Sequence, residues 1–111
     1  MRDARFDQLL DVLERCMTAC ESCASDTIGQ NGGGHQRLIR LALDCGEICG
    51  FTARFVARDS EFKEVLLRQC AIVCKACEDE CRRHQIASAV HCAEVCHECH
   101  LACALVSSKQ L

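Results

Sequence analysis

The sequence has no proline, no tryptophan and no tyrosine, and only four phenylalanines in 111 residues. Without proline, no helix is forced to break. Large aromatic rings usually supply much of a core's buried area, so the interior must be filled by something else. Long apolar runs are also missing, which speaks against a transmembrane segment. The first residues, Met1-Arg2-Asp3-Ala4-Arg5-Phe6-Asp7, contain no apolar signal core. A cytosolic location is therefore expected. There is no basic block either. The 13 Lys and Arg stand against 16 Asp and Glu, a formal net charge of −3. That balance argues against nucleic acid or an anionic membrane as a partner. The length suits one domain spanning 1–111.

What takes the place of the aromatics is cysteine, with 13 residues. In a reducing cytosol these would not form a structural disulfide framework. Their odd number would leave one unpaired in any case.

Three breaks divide the chain. Gly29-Gln30-Asn31-Gly32-Gly33-Gly34 is a glycine-rich loop. Asp59-Ser60 reads as a helix N-cap, with Glu61 and Glu64 following in the first turn. Arg82-Arg83-His84-Gln85 reads as a positively charged helix C-terminus, with Ser88 as the cap of the next helix. Four helices are expected at roughly 3–26, 35–57, 61–84 and 88–106. Short connections make neighbours antiparallel, so the expected fold is an all-α, up-down-up-down four-helix bundle.

The cysteines repeat with the helices. The first helix carries Cys16, Cys20 and Cys23, and the second Cys45 and Cys49. The third carries Cys70, Cys74, Cys77 and Cys81, and the fourth Cys92, Cys96, Cys99 and Cys103. The last two share C-x3-C-x2-C-x3-C. An α-helix turns about 100° per residue, which puts Cys74, Cys77 and Cys81 at about 40°, −20° and 20° from Cys70. The four form one narrow stripe, the core seam of a bundle with Cys where Leu or Ile would stand. Facing stripes make a tube of sulfur.

One or two such cysteines would be ordinary small core residues. Thirteen would fill a core poorly where larger side chains serve stability better. Disulfides along one helix fit badly, because Cβ atoms three or four residues apart are about 5–6 Å distant and a disulfide wants roughly 3.5–4.5 Å. Metal binding is the remaining chemistry. One Cu(I) per thiolate gives a neutral array that can be buried. Soft thiolates suit Cu(I). Zn(II) wants four tetrahedral ligands per ion and leaves net negative charge. The iron–sulfur motif C-x2-C-x2-C-x3-C-P has a different spacing and a proline. Two other readings stay open: a zinc-binding structural or interaction protein, and a thiol redox protein. A thiol enzyme needs one activated Cys in an electropositive site. A stripe of equivalent Cys favours capacity, so no catalytic residue is assigned.

Over about residues 10–106 the repeated C-x3-C-x2-C-x3-C, complete in Cys70 to Cys81 and Cys92 to Cys103, resembles the bacterial copper storage proteins. Its lack of an export signal is similar to their cytosolic branch. The resemblance implies a four-helix bundle, a homotetramer, and storage of many Cu(I) ions along the bundle axis. Delivery and removal would then fall to a copper chaperone or an efflux system. The departure from the pattern is the second helix, where Thr52 and Val56 interrupt the stripe.

The tube is expected to have a plug and a mouth. Phe6, Leu9, Leu13, Phe55, Val56, Phe62, Leu66 and Val106 gather at one end. Cys23, Cys81, Cys92 and His84 gather at the other. His84, three residues past Cys81, extends the sulfur stripe as a ligand at the mouth. His35 and His91 are weaker candidates. His97 points away from the stripe, His100 flanks it, and Met17 is core filler beside Cys16 and Cys20. Gly46 and Gly50 with Ile39 and Leu43, and Val65, Ile72 and Ala76, are expected to serve self-association.

Overall fold

A computed structural model describes residues 4–30 and 33–109, apart from the side chains of Arg5, Ser108 and Lys109. Four helices form: α1 (Ala4–Ile28), α2 (Gln36–Ala57), α3 (Lys63–Cys81) and α4 (Ala87–Lys109). Each repeats a seam of buried residues at spacings of three and four. In α1 the seam runs Leu9, Leu13, Cys16, Cys20, Cys23, Thr27, and in α2 it runs Leu38, Ala42, Cys45, Cys49, Thr52, Val56. α3 buries Leu67, Cys70, Cys74, Cys77 and Cys81, and α4 buries Ala89, Cys92, Cys96, Cys99 and Cys103. This is the spacing that keeps one face of a helix on a bundle axis. α1 packs on α2 and α4, and α3 packs on the same two, so the helices stand at the corners of a square. The expected up-down-up-down bundle is what forms. No described helix is long and apolar enough to cross a membrane.

The boundaries differ from expectation where local hydrogen bonding overrides residue type. Asp59 and Ser60 close α2 rather than open α3. Asp59 takes a left-handed φ of 52°. Its N–H reaches the carbonyl of Val56 at 3.0 Å, and the Ser60 N–H reaches that of Phe55 at 2.9 Å. This is a Schellman ending, with Asp where Gly usually sits. α3 therefore starts two residues later than expected, at Lys63. Ser60 still helps, since its Oγ accepts the Phe62 N–H at 3.1 Å. α3 ends at Cys81, not His84, because the chain tightens: Arg83 N–H bonds Glu80 O at 3.0 Å and His84 N–H bonds Cys81 O at 3.1 Å. Ser88 lies inside α4 and is not its cap, and its buried Oγ has no hydrogen-bond partner. In the first loop, Gly33 and Gly34 have φ of 70° and 78°, a backbone that other residues rarely adopt. Asn31 and Gly32 of that loop lie outside the described residues.

Gly46 and Gly50 do not form an outer surface. Both are buried between α2 and α1. A Cβ on Gly46 would sit 3.1 Å from Glu21 Oε1 and 3.4 Å from Cys20 Cβ, and one on Gly50 would sit 2.9 Å from Met17 Sδ. They let two helices of the same chain approach closely. Leu43, Val65 and Ile72 are exposed as expected.

The plug end also needs revision. Leu9, Leu13, Val56 and Leu67 are wholly or almost wholly buried. Phe6, Phe55, Leu66 and Val106 are half-buried. Phe62 is 58% exposed. As the residue capping α3, it lies outside the helical repeat that would turn it inward.

Candidate metal centre

The regular seams bring all thirteen cysteines to the bundle axis, each wholly buried and each a free thiol. Their sulfurs form a connected series. Cys70, Cys99 and Cys103 lie nearest the apolar plug. Cys99 also belongs with Cys16, Cys49 and Cys74. Cys16 belongs in turn with Cys20, Cys45 and Cys96. Cys20 and Cys96 join Cys77 and Cys92, and Cys92 joins Cys23 and Cys81 at the far end. Within each group the sulfurs lie within 4.8 Å of one another. Every one of the thirteen enters a group, and neighbouring groups share at least one sulfur.

The closest pairs have metal-site spacing. Sγ···Sγ distances are 3.5 Å for Cys45–Cys74, 3.6 Å for Cys49–Cys74, 3.7 Å for Cys16–Cys96 and Cys20–Cys92, and 3.8 Å for Cys49–Cys70. Metal–sulfur bonds near 2.3 Å would separate the sulfurs by about 3.8 Å in a tetrahedral site and about 4.0 Å in a trigonal one. The apo sulfurs thus already stand close to ligand positions.

The electrostatics differ along the column: hydrogen bonds from neighbouring thiols pull Cys16, Cys70 and Cys92 below the ordinary thiol range, whereas other thiols are pushed up. Cys70 and Cys99 as hydrogen-bonded neighbours, then burial, push the Cys103 thiol up. Cys23, Cys77 and Cys92, then burial, do the same to Cys81. The hydrogen bond with Cys81 pulls the Cys23 thiol down, but Cys92 and burial outweigh it and push it up to about 11. Among the described residues, the buried polar and charged side chains are Thr27, Thr52, Glu78, Glu80 and Ser107. The buried set contains no Lys or Arg that could offset thiolate charge.

Thr52 and Val56 interrupt the α2 stripe on the plug side, and both are buried. Thr27 occupies the fourth position of the α1 stripe. Its hydroxyl donates to the Cys23 carbonyl at 2.6 Å and lies 4.0 Å from Cys23 Sγ. The spacing Cys16, Cys20, Cys23, Thr27 matches C-x3-C-x2-C-x3, so the sequence did carry that signal.

The end expected to be the mouth carries a histidine pair. His84 Nδ1 lies 3.1 Å from His35 Nδ1, and His84 Nε2 lies 2.9 Å from Glu80 Oε2. Arg37 Nε bonds the other Glu80 oxygen at 3.2 Å. His84 lines a cleft between α3 and α4 with Cys81, Arg82, Val90 and Ala93. Glu80 sits off the sulfur stripe, its spacing of four to His84 is the one signal for it in the sequence, and Arg37 reaches it from α2. His91 is exposed on a groove between α1 and α4 with Thr18, Ser22 and Val95, away from the sulfurs. Met17 is half-buried, with Sδ packed over Gly50. His97 and His100 turn toward Glu78 on the outside of α3 and α4.

Comparison with known proteins agrees with this architecture. Residues 2–108 match the family model described as copper storage protein. An uncharacterised cysteine-rich protein of Bacillus subtilis, YhjQ, is 32% identical over 89 residues, covering 79% of this chain and 82% of the relative. The solved structure of the Cu(I)-bound copper storage protein BsCsp3 superposes with a TM-score of 0.90 at 27% identity, covering 93% of this chain and 98% of that one. A cytosolic copper storage protein from Streptomyces lividans, solved with five coppers, gives a TM-score of 0.91 at 29% identity, covering 95% and 93%.

Proposed function

We propose that this chain, which belongs to the copper storage protein family, stores several Cu(I) ions along its sulfur-lined axis. The observation that carries the reading is the unbroken series of thirteen buried sulfurs with shared members between groups. Shared sulfurs let each thiolate bridge two ions, so charge stays near zero along the column. That matters because the described core holds no cation to balance excess thiolate. The ligands are Cys16, Cys20, Cys23, Cys45, Cys49, Cys70, Cys74, Cys77, Cys81, Cys92, Cys96, Cys99 and Cys103, with residues 1–111 acting as one storage unit. Similar proteins have been solved with five coppers and with ten copper equivalents.

Zinc is the competing cargo. Cys16–Cys49–Cys74–Cys99 and Cys20–Cys77–Cys92–Cys96 are four-sulfur groups with no sulfur in common. Filling both with Zn(II) would leave Cys23, Cys45, Cys70, Cys81 and Cys103 unused, and each ZnS4 unit would bury two negative charges. Cu(I) uses the whole set and buries none.

His84 is the ligand that receives the ion at the mouth, in the cleft beside Cys81. The opposite end is closed by Leu9, Leu13, Val56 and Leu67. The protein works in the cytosol as a homo-oligomer, a tetramer on the family resemblance, without catalytic turnover. It exchanges copper with a chaperone or an efflux system. The test is anaerobic Cu(I) titration of the reduced protein with metal analysis. Copper in clear excess of two ions per chain is the expected result. Zinc at two or three per chain with no further Cu(I) uptake would overturn the reading.

A further inference from the structure

Outside the sulfur column, α3 and α4 assemble a second donor set of different chemistry. We propose that Glu78, His97 and His100 form a site for a divalent ion of borderline hardness, Zn(II) or Cu(II), separate from the Cu(I) store. His97 and His100 are three apart on α4 and so share a face. Glu78 reaches them from α3. His97 Nδ1 lies 3.1 and 3.3 Å from the two Glu78 oxygens. His100 Nε2 lies 3.2 Å from Glu78 Oε1. A tetrahedral ion with bonds near 2.0–2.1 Å would hold its nitrogen and oxygen ligands about 3.3 Å apart. Each histidine therefore already stands at ligand spacing from the shared carboxylate.

Two further observations mark the cluster as more than an ion pair. His100 Nε2 is buried and makes no hydrogen bond, although the carboxylate is at hydrogen-bond distance. The nitrogen is not aligned to share a proton with that oxygen. Glu78 is itself buried, at 3% exposure, and is pinned from outside. Arg82 Nη2 and Nε bond Glu78 Oε2 at 2.7 and 2.9 Å, which fixes the carboxylate and leaves Oε1 toward His100. Outer partners of this kind orient a ligating group. Lys75 Nζ is 4.0 Å from Oε1. Lys75 is about half exposed, so its tip can swing to solvent when a cation arrives, while Arg82 stays on Oε2. His97 is 52% exposed and opens the site to solution. Imidazole and carboxylate suit Zn(II) and Cu(II), whereas thiolate suits Cu(I). Inner and outer sites would thus sort ions by softness.

The test uses reduced protein first loaded with Cu(I), so that the thiols are occupied, with copper counted in each sample. Zn(II) is then added anaerobically by equilibrium dialysis. One zinc per chain beyond the copper complement is expected, with the His97 and His100 imidazole resonances shifted. His97→Gln and His100→Gln should each weaken zinc at least about tenfold, the scale seen for loss of even an outer partner, and leave the copper count unchanged. In a parallel arm, Cu(II) added to the same loaded protein should give an EPR signal with nitrogen couplings that both variants abolish. No bound ion in either arm would overturn the proposal. So would a His97→Gln/His100→Gln double variant that binds as wild type does.

Discussion

His35 and His84 are 49 positions apart, yet their Nδ1 atoms stand 3.1 Å from one another. They bring the N-terminus of α2 and the end of α3 together over the top of the sulfur column. His84 also lines the cleft beside Cys81, and on the proposed route it hands Cu(I) to the first thiols. His84→Ala should slow Cu(I) loading, and slow removal by a strong chelator, while final capacity stays close to wild type. His35→Ala should act in the same direction but less, through the freed His84 ring. Stopped-flow transfer rates with a coloured chelator measure both. Unchanged rates in His84→Ala would move the mouth elsewhere.

The plug is the stabilising end. Leu67 is fully buried among Leu9, Leu13 and Val56, so Leu67→Ala should cost roughly 2–5 kcal/mol. Phe62 is mostly exposed, and Phe62→Ala should change stability by less than about 0.5–1 kcal/mol. Urea unfolding of the reduced apo-protein, followed by far-UV circular dichroism, gives both numbers. The same spectra should show a helical apo-protein, unlike a small zinc domain that unfolds without its ion.

Gly46 sets the distance between α1 and α2. Gly46→Val would place branched methyl groups against Glu21 and Cys20 and should destabilise by roughly 1–3 kcal/mol. Gly50→Ala has its one close contact with Met17 Sδ, at the flexible part of a side chain. The gain of roughly 0.5–1 kcal/mol from replacing a helical glycine should offset that contact, leaving stability nearly unchanged. Thermal melts of the two variants would separate the cases. A Gly46→Val protein as stable as wild type would show that the helices can part without cost.

Sharing of sulfurs makes loss of capacity position-dependent. Cys103 enters the group nearest the plug, whereas Cys16 links two four-sulfur groups. Cys103→Ser should remove on the order of one Cu(I), because other soft ligands remain. Cys16→Ser should remove more. Cu(I) titration to saturation decides it, and equal losses would mean that the ions do not share sulfurs as the spacing implies.

Loading should release protons. Neighbouring thiols and burial push Cys81 and Cys103 up, and Cys23 rises to about 11. At pH 7 these groups are protonated in the apo-protein and must lose the proton to bind. About one proton per thiolate formed should appear when Cu(I) is added in weak buffer. A raised pKa means that protons compete with the metal, so apparent Cu(I) affinity should fall as pH falls below 7. An indicator dye follows the release. Absence of released protons would mean that the thiolates were already ionised.

The helices, their antiparallel order and the sulfur stripes were legible in the chain because a helix maps spacing directly onto direction. Residues three and four apart must share a face, so Cys70, Cys74, Cys77 and Cys81 could point only one way. The soft-metal chemistry followed from counting thiols and charges, which needs no coordinates. The choice between Leu66 and Leu67 did not follow. On the helical wheel they flank the Cys stripe at similar angles on either side, and the packing of α3 against its neighbours selects Leu67. Nor did the roles of Gly46 and Gly50, because a small residue looks the same on a wheel whether it meets a second copy or another helix of its own chain.

What the sequence alone determined is therefore what repeats: the element type, the inward face and the kind of ion that face suits. The tertiary structure decided what depends on neighbours from other helices. It paired His35 with His84 and set Arg37 of α2 against Glu80. It brought Glu78 to His97 and His100, and it linked the separate stripes into groups that share Cys16, Cys20, Cys92, Cys96 and Cys99. The physical reason is that helical periodicity fixes direction around one axis only. Height along the bundle and contact between axes come from how the four helices slide and pack.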